Sequence, residues 1–199
     1  TRSGTRILDS ASVTLNSASG TYFGESIIRG LIIRTDQNAT TNETIGNLVF
    51  ESGTSYLTGE ANVGTGTAVS QIIANNFVRN NNATVAARGR ALGLTTGNRN
   101  QFRIGDATNQ SILIATLVGG AGAAGSKSIS IVPWAIGQSL TTGAADTDMG
   151  NSLVTYDSGA GFRPLDLTIE YDSYAAAAAT SNVRQSLTAD LTGLAGKTI

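Results

Sequence analysis

The sequence predicts an all-β chain wound as a β-solenoid with side loops, and three observations carry that expectation. Short runs of Ile, Val, Leu and Phe recur along all 199 residues, separated by clusters of Gly, Asn, Thr and Ser, the pattern of many short strands joined by tight turns. Charged residues make up 14%, against roughly 25% in ordinary soluble domains, yet the recurrent Ile, Val and Leu clusters argue against a disordered chain, which lacks them. Finally, Ile28-Arg29-Gly30-Leu31-Ile32-Ile33 aligns with Ile45-Gly46-Asn47-Leu48-Val49-Phe50 seventeen residues later. A period of about twenty residues is what one solenoid coil requires.

Taken in order, Ile7-Leu8 and Val13-Thr14-Leu15 read as short strands around the turn cluster Asp9-Ser10-Ala11-Ser12. Ser26–Arg34 and Thr44–Glu51 are stronger strands, because β-branched residues fit a pleated, half-buried surface. Further strands are expected at Ala68–Ile73, Phe77-Val78, Thr84–Ala87, Phe102–Ile104, Ile112–Val118, Ile129–Val132 and Leu153–Tyr156. Asn75-Asn76 and Asn80-Asn81-Asn82 are expected at coil corners, since Asn tolerates the left-handed conformation. One short helix is expected within Tyr174–Leu187, where five alanines favour it. Strands alternating with crossover helices are not seen, which argues against a doubly wound α/β fold.

Charge and composition exclude several functions. A net charge of −1 with no block of like charges draws the chain neither to nucleic acid nor to anionic membrane. Eleven of the 13 basic residues are Arg, and the densest pair is Arg88 and Arg90, a spot that reads as a solvated sheet edge. Cysteine is absent, so disulfides and thiolate metal sites are out. No apolar run approaches the ~20 residues of a membrane span, and the opening residues are not a signal peptide. The last residues, Gly196-Lys197-Thr198-Ile199, read as entry into another strand, hence as a segment of a longer chain.

Ile131-Val132-Pro133-Trp134-Ala135-Ile136-Gly137, then Leu153-Val154-Thr155-Tyr156 and Gly161-Phe162-Arg163-Pro164-Leu165, resemble the autotransporter-associated β-strand repeat proteins, which are large exported bacterial proteins. Asn182-Val183-Arg184 and Leu194–Ile199 look like that family's entry into its next coil, and Thr44–Phe50 like its recurring strand. The resemblance covers the C-terminal half by motif and the N-terminal half by pattern. It implies a right-handed parallel β-helix, extracellular or at the cell surface. It carries over no catalytic residue.

Candidate chemistry is sparse. Gly120–Gly125 fits G-x-G-x-x-G, but a dinucleotide site needs a helix directly after the glycines, and Ser-Lys-Ser-Ile-Ser-Ile-Val follows. Asp146, Asp148 and Asp157 are candidates for calcium, which takes several carboxylate and carbonyl oxygens. Glu25 and Glu43 flank the two aligned strands and are the nearest approach to the carboxylate pair of a glycosidase. With no His, a His-based triad is excluded. Asn38, Asn42, Asn82 and Asn109 open Asn-x-Ser/Thr sequons at near chance frequency. Trp134 is either a sugar-stacking platform or a cap over the core. The loop Gln138–Ser152, holding Asp146 and Asp148, is where binding is first to be sought. The expectation is therefore an exported structural or adhesive rod without catalysis or cofactor. Its partners are further copies, joined end to end or along a filament, and surface polysaccharide. The alternative is a carbohydrate-binding or carbohydrate-active module.

Overall fold

An extended run of β-branched residues satisfies its peptide groups only by pairing, and most strands here find their partners about 30 residues away along the chain. The computed structural model describes residues 6–17, 30–36, 38–61, 67–119, 125, 129–140, 150–166 and 170. The first strands are β1 (Val13–Asn16), β2 (Gly30–Thr35), β3 (Thr40–Ser52), β4 (Thr54–Ala61), β5 (Val69–Arg79), β6 (Thr84–Arg90) and β7 (Arg99–Ile104). Helix α1 (Ala107–Ala115) follows, then β8 (Val118–Gly119), β9 (Ser130–Ile131), β10 (Ala135–Leu140), β11 (Gly150–Asp157) and β12 (Gly161–Pro164). The chain falls into two units, Thr1–Val118 with Ile131–Pro164, and Gly119–Ser130 with Leu165–Ile199.

In the first unit strands β1 to β7 alternate between two sheets. The odd-numbered strands β1-β3-β5-β7 form one four-stranded sheet, parallel throughout. The other sheet has the order β12-β11-β10-β6-β4-β2. It is parallel from β2 to β10 and antiparallel from β10 to β12. The all-β expectation therefore stands, with a mixed second sheet. Leu153–Tyr156 resumes the stack within β11, in the antiparallel sense.

The offset between paired strands differs from the sequence period. Val69 lies opposite Arg99 and Thr54 opposite Thr84, whereas the aligned runs Ile28–Ile33 and Ile45–Phe50 are seventeen residues apart. Those runs are not stacked. Their described parts belong to β2 and β3, on different sheets, so the spacing measures the step from one wall to the other.

Between the sheets lies the core. Ile45, Leu48, Phe50, Ile72, Phe77, Phe102 and Ile104 enter it from the parallel sheet, and Ile33, Leu57, Val85, Ala87, Ala135 and Val154 from the mixed one. Each fully buried large side chain contributes about 1.5–3 kcal/mol. Alternation slips by one residue in β3 and β5 together: Glu43 and Ile45 are buried and then Leu48 and Phe50, as Ile72 and Ala74 are and then Phe77. Asn75 and Asn76 lie at this slip, inside β5 and not at its end. Asn81 and Asn82 do make a corner, with φ of 44° and 55°.

Polar side chains stack with the same offset. Gln71 donates to Gln101 (2.5 Å), Arg88 Nε to Thr58 (2.8 Å), and Thr54 pairs with Thr84 (2.8 Å). At the corner, Asn80 and Asn81 donate to the Glu51 carboxylate at 2.8 and 3.0 Å. One such pair is internal: fully buried Asn100 accepts from Ser70 and donates to the Arg90 carbonyl. Gly59 and Gly89 face it from the mixed sheet, and a Cβ on Gly59 would run into the Asn100 side chain.

Ile112–Val118, expected as a strand, is mostly helix. Asp106 caps α1 by accepting the Asn109 amide at 2.8 Å, a cap that frees the following residues from needing a strand partner. Leu113 is the buried residue of α1, and Asn109 and Gln110 tie the helix to the carbonyls of Asn75 and Ile104. Ile7-Leu8 lies outside any strand, and of Ile129–Val132 only Ser130–Ile131 is strand, pairing in a two-stranded ladder with β8. The expected helix in Tyr174–Leu187 falls outside the described residues. In the second unit, Gly125 and Asp166 donate backbone N–H to the two carboxylate oxygens of buried Glu170, at 2.8 and 2.7 Å.

Candidate functional site

Within the first unit, side chains that carry chemistry gather in two places: an aromatic cluster by the final hairpin and the outer face of the mixed sheet. The cluster draws Phe50 from β3, Phe77 from β5, Trp134 from the corner before β10, Tyr156 from β11 and Phe162 from β12. Phe162 is fully buried. It stacks on Phe77 at 5.1 Å and meets Trp134 and Tyr156 edge-on at 5.8 and 5.9 Å, arrangements that the ring quadrupoles favour.

The Trp134 corner is closed by the Ala135 N–H donating to the Val132 carbonyl at 3.2 Å. The Trp134 carbonyl accepts the Val85 N–H at 3.0 Å. Its indole lies 5.9 Å from Phe50, and the Arg79 guanidinium sits 5.8 Å from the ring centroid. Trp134 is thus half-buried against the core, with rings on one side and a cation on another. This is the geometry of a cap.

Tyr156 faces the open side of the parallel sheet, where its hydroxyl accepts the Ile104 N–H at 2.7 Å. Burial pushes its pKa up from 10.0 to about 12, against the lowering effects of that hydrogen bond and of Arg103. Asp157 is committed to the hairpin turn: its Oδ1 accepts the N–H groups of Gly159 (2.7 Å) and Ala160 (3.2 Å). Gly161 completes the turn at φ 77°, so close to the Phe102 carbonyl that a Cβ would collide with it. Asp146 and Asp148, the other calcium candidates, lie outside the described residues, as does the loop between β10 and β11. Among the described residues no group of three His, Cys, Asp or Glu is placed to hold a metal ion.

On the outer face of the mixed sheet, Tyr56, Ala86, Ile136 and Leu153 line up across β4, β6, β10 and β11. Ile136 and Leu153 are exposed. Arg88 lies over the Tyr56 ring at 4.8 Å, and its Nη2 is buried without a hydrogen-bond partner among the described residues. Sequence reading marked Arg88 only as half of a weak basic spot. Its stacking on Tyr56 follows from the 30-residue offset, which the sequence period hid.

The Glu25–Glu43 pair is not visible, since Glu25 lies outside the described residues. Glu43 is 7% exposed and binds backbone: its two carboxylate oxygens accept the N–H groups of Arg6 (3.0 Å) and Ile7 (2.5 Å). The glycine run Gly120–Gly125 follows a helix and β8, not the long strand a dinucleotide turn would need. Among the described residues no helix is long and apolar enough to cross a membrane. No family model, curated protein or solved structure matches the chain.

Proposed function

We propose that the first unit is a right-handed parallel β-helix serving as an exported structural or adhesive module, at the cell surface or beyond. The observation that carries this reading is the repeated 30-residue offset, by which β4–β6 and β5–β7 stack on opposite walls with their polar side chains in register. The hand follows from the strong preference of parallel crossover connections for right-handedness. The resemblance to autotransporter-associated repeat proteins at Ile131–Gly137 and Leu153–Leu165 supports export.

The mechanism is mechanical. Backbone ladders run from coil to coil, and the apolar interior excludes water, so no short segment peels away without breaking pairs on both walls. The cluster around Trp134 and the turn held by Asp157 serve the frame in this reading, and binding falls to outer faces and loops. The test is placement. A tagged full-length chain in its source cell should be cleaved by protease added outside intact cells, and a chain protected until lysis would end the export reading.

A further inference from the structure

The two ends of the parallel sheet are closed by different means. At the last strand, β7, the Ile104 N–H is taken by the Tyr156 hydroxyl. Farther along the same strand Asn100 bridges Leu92, with the Gly93 N–H on the Asn100 carbonyl at 2.9 Å. These covers belong to packed, buried structure.

At the first strands the cover is only latched. β1 pairs with β3 from Leu48 to Ser52, which leaves the earlier part of β3 beyond its reach. The Val69 N–H donates to the Ala39 carbonyl, and the Gly46 N–H donates outward to the Ala11 carbonyl at 2.8 Å. Since peptide groups alternate sides along a strand, those of Thr40, Asn42 and Thr44 point away from β5, to the side of β3 that β1 does not reach. They meet no backbone partner among the described residues. Over this edge lies the segment Arg6–Ala11, held by the Ala11 carbonyl, by Ile7 packing on the core, and by the buried Glu43 carboxylate on the Arg6 and Ile7 amides. Both amides are taken by the one carboxyl group, so much of the hold rests on one side chain.

We propose that Arg6–Ala11 is an edge guard latched by Glu43, and that its release lets two copies of this chain join through the Thr40–Thr44 edge of β3. An unpaired edge is a template for another strand. Within the parallel sheet β7 is sealed, so the contact that sheet offers is between like edges, which closes a two-fold dimer and not an open filament.

The experiment compares wild type, Glu43→Gln and Glu43→Leu by amide exchange and by sedimentation over a wide concentration range. Wild type should be a single copy. Glu43→Leu should quicken exchange at Arg6 and Ile7 by about tenfold or more, as expected of a local opening, leave Ile72 and Phe102 protected, and form a concentration-dependent dimer. Glu43→Gln keeps one acceptor and should show the same changes at smaller size; it decides the matter if Glu43→Leu does not fold. Adding Asn42→Pro removes a donor from the open edge and should restore the single copy. A wild-type dimer, unaltered exchange in both variants, quickened exchange without dimerisation, or a dimer that survives Asn42→Pro would overturn the proposal.

Discussion

The central parallel strands and the final hairpin solve the same problem in opposite ways. From β4 to β7 each strand lies parallel to a partner about 30 residues away, and its register is written in polar pairs such as Gln71–Gln101 and Thr54–Thr84. From β10 to β12 the strands run antiparallel, with near neighbours in sequence as partners, and aromatic rings take over: Phe162 meets three others, as does Phe77. Parallel pairing of this kind leaves an edge that a further strand can extend. The hairpin ends it, because reversing direction brings Tyr156 across the open side of β7. Register is thus a polar matter in the middle and a packing matter at the end.

Breaking each region should separate the two. The largest effect is expected for Phe162→Ala, about 3–5 kcal/mol by denaturant unfolding, with faster exchange of the Ile104 amide as the Tyr156 hydroxyl loses its support. Leu57→Ala, among the central parallel strands, should cost about 2–5 kcal/mol and leave Ile104 exchange unchanged. Equal Ile104 exchange in both variants would dissolve the contrast.

Next comes the internal polar pair. Asn100→Ala strands Ser70 and the Arg90 carbonyl and should cost about 1–3 kcal/mol. Gly59→Ala should cost a similar 1–3 kcal/mol by overpacking against Asn100. The double variant should lose less than the sum, since each change relieves the other. Strict additivity in a double-mutant cycle would show that the two do not meet.

Tyr156→Phe sharpens the comparison at smaller scale, with a loss of about 1–2 kcal/mol near neutral pH from the unpaired Ile104 amide. Its pH dependence has a definite sign. The folded protein holds Tyr156 neutral up to about pH 12, against 10.0 for the free side chain. Its contribution is therefore intact below pH 10 and lost as pH rises through 12. The stability difference between wild type and Tyr156→Phe should shrink across that window, and a difference constant from pH 9 to 12 would contradict the assignment. The smallest effect belongs to the exposed Arg34–Glu60 ion pair, where Arg34→Ala should cost less than about 0.5 kcal/mol.

What the residues revealed in advance follows the same division. Thr44–Glu51 and Thr84–Ala87 were legible as strands because β-branched runs declare themselves locally, and Asn80-Asn81-Asn82 as a corner because Asn accepts positive φ. The pairing offset was not legible, since the repeated Ile-x-x-Leu pattern marks both sheets and a period read from it reports the step from one sheet to the other. Ile112–Val118 misled because its apolar residues favour strand, while the deciding signal, the Asp106 cap, lies upstream in an unremarkable loop. Trp134 was foreseen as a possible cap by its place beside Pro133. Asp157, a calcium candidate in the sequence, accepts two amides of its own turn through Oδ1, a role with no signal in the sequence. Glu43 as a backbone latch had no sequence signal, because its partners sit 36 and 37 residues away.

The Tyr156 hydroxyl on the Ile104 amide has one more consequence. It fixes which strand is last without reference to how many came before. In the proposed β-helix, a duplication of one 30-residue turn, taken from β4–β5 and placed before β6–β7, would meet familiar neighbours above and below, while Glu43 and Tyr156 kept their own ends. The length of the stack is then something inheritance can lengthen or shorten in whole turns, with the closures carried along unchanged.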